Sequence, residues 1–196
     1  MRLFNLSKEI WKNSTTVKIN PQEAWDMDFF LKPWFYNNGY EEKYTPTSPG
    51  WYWIGCDIDI QELESIYPTI KGKLPKSACI INELAKQNLQ TFGSNSLCKK
   101  NENDCLIIYN GHQSNVIQRI RQHFMLNNDK TGAIGLRHYP MSKIRWTVSY
   151  FAKNHIQRLK QEDRSDVKRL INNKSGRVAI ENAWRAAYGW PILCKE

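Results

Sequence analysis

Tyr109-Asn110-Gly111-His112-Gln113-Ser114-Asn115-Val116-Ile117-Gln118-Arg119-Ile120-Arg121-Gln122-His123-Phe124 is the stretch on which the reading of this chain turns. Just before it, Cys105-Leu106-Ile107-Ile108-Tyr109 is a short apolar run of the kind that forms a buried strand, and Asn110-Gly111 reads as its stop. Ser114 or Asn115 can cap the helix that follows, at about 115–125. In that helix Val116, Ile120 and Phe124 fall at i, i+4 and i+8 and form a stripe for the core. Arg119 and His123 are also four apart, so they share a different face. The stretch is therefore strand, turn, helix, with a tyrosine at the strand end and an arginine and a histidine on the helix.

Working outward, Gly50-Trp51-Tyr52-Trp53-Ile54-Gly55-Cys56-Asp57-Ile58-Asp59-Ile60 is a strand candidate, rich in aromatic and β-branched residues. Residues 61–90 read as helical with a break at Pro75, and 91–104 as a polar loop. A third strand is expected at 143–152. A charged helix follows at about 155–171, then Asn172–Gly176 as a separator. A last helix near 177–188 is ended by Gly189 and Pro191. The first 48 residues are aromatic-rich (Phe29, Phe30, Trp34, Phe35 and Tyr36 among them) and read as irregular. This order predicts an α/β (α+β) domain with a small sheet.

A chain of 196 residues is long enough for one domain with a proper core, and 41% hydrophobic residues with eight tryptophans exclude a disordered chain. No apolar run approaches the ~18 residues needed to cross a bilayer, and the start, MRLFNLSKEIWKNSTT, lacks a signal-like apolar stretch. A cytoplasmic protein is the expectation. Five cysteines at irregular spacing, with no CxxC pair, read as reduced, mostly buried thiols rather than a zinc site. The net charge of +9 is unevenly placed. Residues 1–111 hold 12 Lys+Arg against 13 Asp+Glu, and residues 112–177 hold 14 against 4. Such concentration is what a polyanion-binding face requires.

Gly50-Trp51-Tyr52 and Tyr109-Asn110-Gly111 resemble the two motifs that name the GIY-YIG nucleases. The helix after the second motif is similar too. Arg119 stands ten residues after the motif tyrosine, where the family has an arginine, and His123 stands four further on, where it has a histidine or tyrosine. Glu181, in RVAIENAWRAAYGWP, is similar in setting to the family's metal-binding glutamate. The resemblance covers roughly 50–60 and 105–191. It implies a small three-stranded mixed sheet flanked by helices. Residues 1–48 would be an N-terminal extension and 49–196 the nuclease-like domain, with 61–104 inserted between the first two core strands. His112 departs from the family, which often has a lysine or small polar residue there. The asparagine that usually follows the glutamate helix is absent, Leu193 and Cys194 standing near its place.

The resemblance implies phosphodiester hydrolysis, and the residue types suit it. That reaction needs an activated water and neutralisation of the charge that builds on phosphate. An arginine is a permanently charged donor fork matched to phosphate oxygens, and one carboxylate can hold a Mg²⁺ that keeps most of its waters. The implied roles are Arg119 clamping the scissile phosphate and Glu181 holding Mg²⁺, with Mn²⁺ as a substitute. Tyr52 would orient or activate water, and Tyr109 and His123 would assist at the phosphate. His112 is either a proton-transfer group or a turn residue. Arg121, Lys130, Arg137, Lys143 and Arg145 are candidates for neutralising the DNA backbone.

Two other nuclease patterns fail on spacing. Asn115 follows His112 too closely for an HNH hairpin with His123, and Asp57 and Asp59 lack the Glu-x-Lys that completes a restriction-type carboxylate cluster. The expectation is a metal-dependent hydrolase of double-stranded DNA, a restriction-type endonuclease working as a homodimer or by sequential nicks. A nickase of relaxed specificity, or an idle nucleic-acid-binding module on the same fold, are the alternatives.

Overall fold

The computed structural model describes residues 1–19, 48–68, 79–125, 132–139 and 144–195. Its first two elements lie where the sequence reads as irregular: α1 (Arg2–Lys12) and β1 (Thr15–Ile19). Then come β2 (Gly50–Cys56), the single turn α2 (Ile60–Leu63), α3 (Ile81–Phe92), β3 (Leu106–Gln113) and α4 (Val116–Met125). β4 (Trp146–Ala152), α5 (Gln161–Asn172) and α6 (Lys174–Tyr188) complete the order, with 3-10 turns at Leu136–His138 and Lys153–Arg158.

The sheet corrects the expected three-stranded mixed sheet. It has four strands in the order β1-β4-β2-β3, and every strand pairing is antiparallel. The extra strand, Thr15-Thr16-Val17-Lys18-Ile19, has β-branched residues at four of five positions and buries Val17 and Ile19 while Thr16 and Lys18 face out. That alternation is what a strand with one covered face needs. It pairs along the outer side of β4, from Thr15 opposite Tyr150 to Ile19 opposite Trp146.

β2 is buried along its whole length because both faces of the central strand are covered. Trp51 and Trp53 point to one face. Trp53 packs edge-on against Trp11 of α1 at 4.7 Å and near Trp184 of α6 at 5.9 Å, and Trp51 Nε1 donates to the Arg177 carbonyl at 2.9 Å. Tyr52 and Ile54 point to the other face, where α4 lies; Tyr52 meets its His123. Each fully buried aromatic of this size removes roughly 150–250 Å² from water, about 4–6 kcal/mol of hydrophobic driving force. These contacts fix α4 and α6 on opposite sides of one strand.

Local signals held in some places and yielded in others. Asn115, rather than Ser114, caps α4, its Oδ1 accepting from the Gln118 N–H at 3.0 Å. Asn173 caps α6, so that helix begins at Lys174 within the stretch expected to be a separator. Gly189, at φ +97°, ends it. Asn110-Gly111 does not stop β3, which runs on to Gln113 paired with Gly50. Here cross-strand pairing overrides the turn preference of Asn-Gly. All five cysteines are free, and four of them are buried. Among the described residues no helix is long and apolar enough to cross a membrane.

Candidate active site

β3 is an edge strand, so side chains from both sheet faces can converge around it. Tyr109 and Gly111 share the face that looks toward α4, and Asn110 and His112 share the face that looks toward α6. Gly111 lies directly opposite Tyr52, and a Cβ there would stand 2.6 Å from the Tyr52 hydroxyl. The missing side chain lets the phenol lie across the edge strand. Gly50, in the first motif, is equally constrained, since a Cβ would come 2.2 Å from the Phe151 carbonyl oxygen. Both motif glycines therefore have steric reasons.

Around this edge, Tyr52, Tyr109, His112, Arg119, Lys174 and Glu181 line an open cavity of about 590 Å³. They come from β2, β3, α4 and α6. The Tyr52 Oη lies 2.8 Å from His123 Nε2. The Ile134 N–H donates to His123 Nδ1 at 3.4 Å, which makes Nε2 the protonated nitrogen and Tyr52 Oη its acceptor. The Tyr52 proton is then left for Tyr109 or a ligand oxygen. Burial holds the Tyr52 hydroxyl well above its ordinary value, with Tyr109 reinforcing the shift, and burial pushes Tyr109 up to about 12. Both phenols keep their protons at neutral pH. His123 is fully buried, and burial, with the charge of Arg119, holds it well below the usual imidazole range. It sits beneath the site as a neutral support for Tyr52 and outside the cavity wall.

Arg119 is half-buried. Its Nη1 donates to Gln122 Oε1 at 3.1 Å and its Nη2 to the Gly132 carbonyl. Burial opposes its charge, and the neighbouring Tyr52 and Tyr109 oxygens more than offset that. Its fork is thereby aimed along the cavity wall beside the two phenols.

Across the cavity, both Glu181 oxygens have partners. Oε2 accepts from His112 Nδ1 at 2.5 Å, and Oε1 accepts from the Arg185 Nη2. Arg185 Nε donates to Asn110 Oδ1 at 2.9 Å, and its guanidinium lies 4.3 Å over the Trp190 ring. Glu181 is the only acid among the described residues lining the cavity, and the described residues hold no cluster of three metal-ligating side chains. A carboxylate has about four lone-pair sites, of which two are taken. The site therefore fits a largely hydrated Mg²⁺ held at one protein oxygen, and does not fit a metal that requires a protein cage.

Of the other residues singled out from sequence, Arg145 does not join the cavity. It stands at the far end of the sheet, its Nε donating to Asp57 Oδ2 at 2.7 Å, beside a separate cavity of about 350 Å³. Arg121 is half-buried on α4 and lies outside the cavity lining. Lys130, Lys143 and the side chain of Arg137 fall outside the described residues. Asp57 and Asp59 are bound to Arg145 and Lys100, away from this cavity. Four contributors went unread in the sequence: Asn110, Lys174, Arg177 and Arg185. Arg177 and Arg185 carried a signal, standing four residues before and after Glu181 on one helix. Comparisons with protein-family models, curated proteins and solved structures found no match to this chain.

Proposed function

We propose that this chain is a metal-dependent endonuclease acting on double-stranded DNA. The observation that carries the reading is the meeting of Tyr52, Tyr109, Arg119 and Glu181, from four elements, in one open polar cavity. In this reading a DNA phosphate enters beside Arg119. The guanidinium neutralises the charge that grows on the phosphoryl oxygens, and its hydrogen bonds to Gln122 and Gly132 spare it reorganisation on binding. Tyr52, protonated and fixed by His123, donates through its hydroxyl toward Tyr109 or an incoming oxygen. His112, held by Glu181, orients water at the cavity mouth. A Mg²⁺ bound at Glu181 would polarise a phosphate oxygen and acidify water. Sequence-specific cutting by a restriction-type enzyme, with two copies or two successive nicks for two strands, is the finer form of the proposal.

The test is cleavage of supercoiled plasmid with Mg²⁺, beside Arg119→Ala and Glu181→Ala. Discrete linear fragments from the wild type, reduced at least a hundredfold in both variants, are expected. DNA binding without cleavage in any divalent metal would select a second reading, a nucleic-acid-binding module. Occupation of both Glu181 oxygens by protein donors is the observation in its favour.

A further inference from the structure

Asn110 and His112 are two apart on β3, about 6.7 Å along a strand, and Glu181 and Arg185 are four apart on α6, about 6 Å along a helix. The two spacings match, and the four side chains close a row: Asn110 to Arg185, Arg185 to Glu181, Glu181 to His112. Arg185 is the centre of it. Its side chain is 13% exposed, and it is anchored three ways, on Asn110, on Glu181 and over Trp190. A surface ion pair swings freely; this one is built in.

The consequence is electrostatic. Among the described residues, the cavity's lining holds Arg119, Lys174 and Arg177 as cations and Glu181 as its single acid, and that acid is already paired with a cation. A cavity of this composition attracts phosphate more strongly than it attracts a divalent cation. The geometry points to Arg185 as an internal counter-cation that keeps Glu181 from holding a divalent metal tightly until a DNA phosphate adds its negative charge. Metal loading then follows DNA binding, and free metal holds the site only weakly in its absence. This inference rests on the nuclease reading for its DNA step and on Glu181 as the metal ligand.

The experiment is Mn²⁺ binding to the full chain, followed by electron paramagnetic resonance, with no cleavage required. Removing an opposite charge in direct contact changes a carboxylate's cation affinity by roughly tenfold or more. Arg185→Gln should therefore bind Mn²⁺ about tenfold more tightly than wild type in the absence of DNA. Arg185→Lys, which keeps the charge, should stay within about threefold of wild type. Adding Glu181→Gln to Arg185→Gln should abolish the gain. An uncharged support for a metal ligand would lower affinity when removed, so unchanged or weaker binding in Arg185→Gln overturns the inference. So does an Arg185→Lys variant that tightens as Arg185→Gln does. Wild type tests the idea without any variant: a phosphorothioate duplex should tighten Mn²⁺ binding about tenfold, and no change overturns it. Wild-type cleavage with no Mn²⁺ gain in Arg185→Gln sinks this inference and leaves the nuclease reading standing. No cleavage, with the Mn²⁺ gain present, sinks the nuclease reading alone.

Discussion

At Gly111 a single methyl group would lie 2.6 Å from the Tyr52 hydroxyl oxygen. The phenol has little room to retreat, since Tyr109 stacks on it at 6.0 Å and His123 holds its oxygen. Gly111→Ala should therefore displace Tyr52 Oη and break its bond to His123. We expect a loss of about 1–3 kcal/mol in stability, the usual range for overpacking, and at least a tenfold loss of cleavage. Urea unfolding and plasmid cleavage below the transition measure the two effects; full activity in Gly111→Ala would remove Tyr52 from the site. A second residue-scale effect concerns His155. It is buried, accepts the Ala152 N–H at Nδ1 (3.1 Å) and faces Thr15 through Nε2 (3.4 Å). Burial, with Arg158 nearby, brings it down to about 3, against about 6.5 in an unfolded chain. The unfolded state then takes up a proton that the folded state refuses. Its stabilising contribution is complete above pH 6.5 and is lost as pH falls toward 3, with a slope of about 1.4 kcal/mol per pH unit. His123, depressed in the same direction, adds to it. Urea midpoints should fall between pH 6.5 and 5, above the carboxylate range, and His155→Gln should flatten that fall.

Elements that carry their own local signature were the legible ones. The start of β3 and the whole of α4 were legible because strand, cap and helix lie within twenty residues, and Arg119 takes its place from that local frame. The end of β3 at Gln113 is instead set by pairing with β2. β2 announced itself through β-branched and aromatic density. α1 and β1 did not. The five residues of β1 become a strand by pairing with β4, more than a hundred positions away, and composition over 1–48 gave no hint of that partner. α1 is likewise set by tertiary contact, Trp11 lying 4.7 Å from Trp53 and 5.7 Å from Trp184. The site divides in the same way. Tyr52, Tyr109 and Arg119 were visible as spacing, whereas Asn110 and Arg185 acquire meaning only once β3 and α6 face each other. The steric need for Gly111 is of this second kind, since it depends on the residue opposite in the next strand.

For the whole molecule, the excess of positive charge in residues 112–177 overstates the cationic surface free to meet the proposed DNA substrate. Many of those cations already serve the fold. Arg164 donates from Nε to the Leu159 carbonyl at 2.9 Å and from Nη2 to the Gln157 carbonyl at 2.8 Å. Arg177, which lines the cavity but is buried, donates to the Ile171 carbonyl at 2.8 Å, Arg158 to Thr15 Oγ1 at 2.9 Å, and Arg145 is bound to Asp57 at the other end of the sheet. Lys174 is different: it is exposed, and it stands on the cavity wall with Arg119. It also sits in the first turn of α6, where no acid offsets it and the helix dipole disfavours a cation. That placement costs stability and gains attraction for a phosphate. Each phosphate contact contributes about −0.9 to the slope of log affinity against log salt. Lys174→Ala should therefore make the slope shallower by about 0.9 and weaken binding alike on unrelated duplexes. Arg164→Ala should leave the slope in place and lower the melting temperature, because its donors hold carbonyls. Filter binding of duplex DNA across a salt series measures both. Equal slope changes in the two variants would mean that the DNA-facing surface extends around α5, well beyond the cavity.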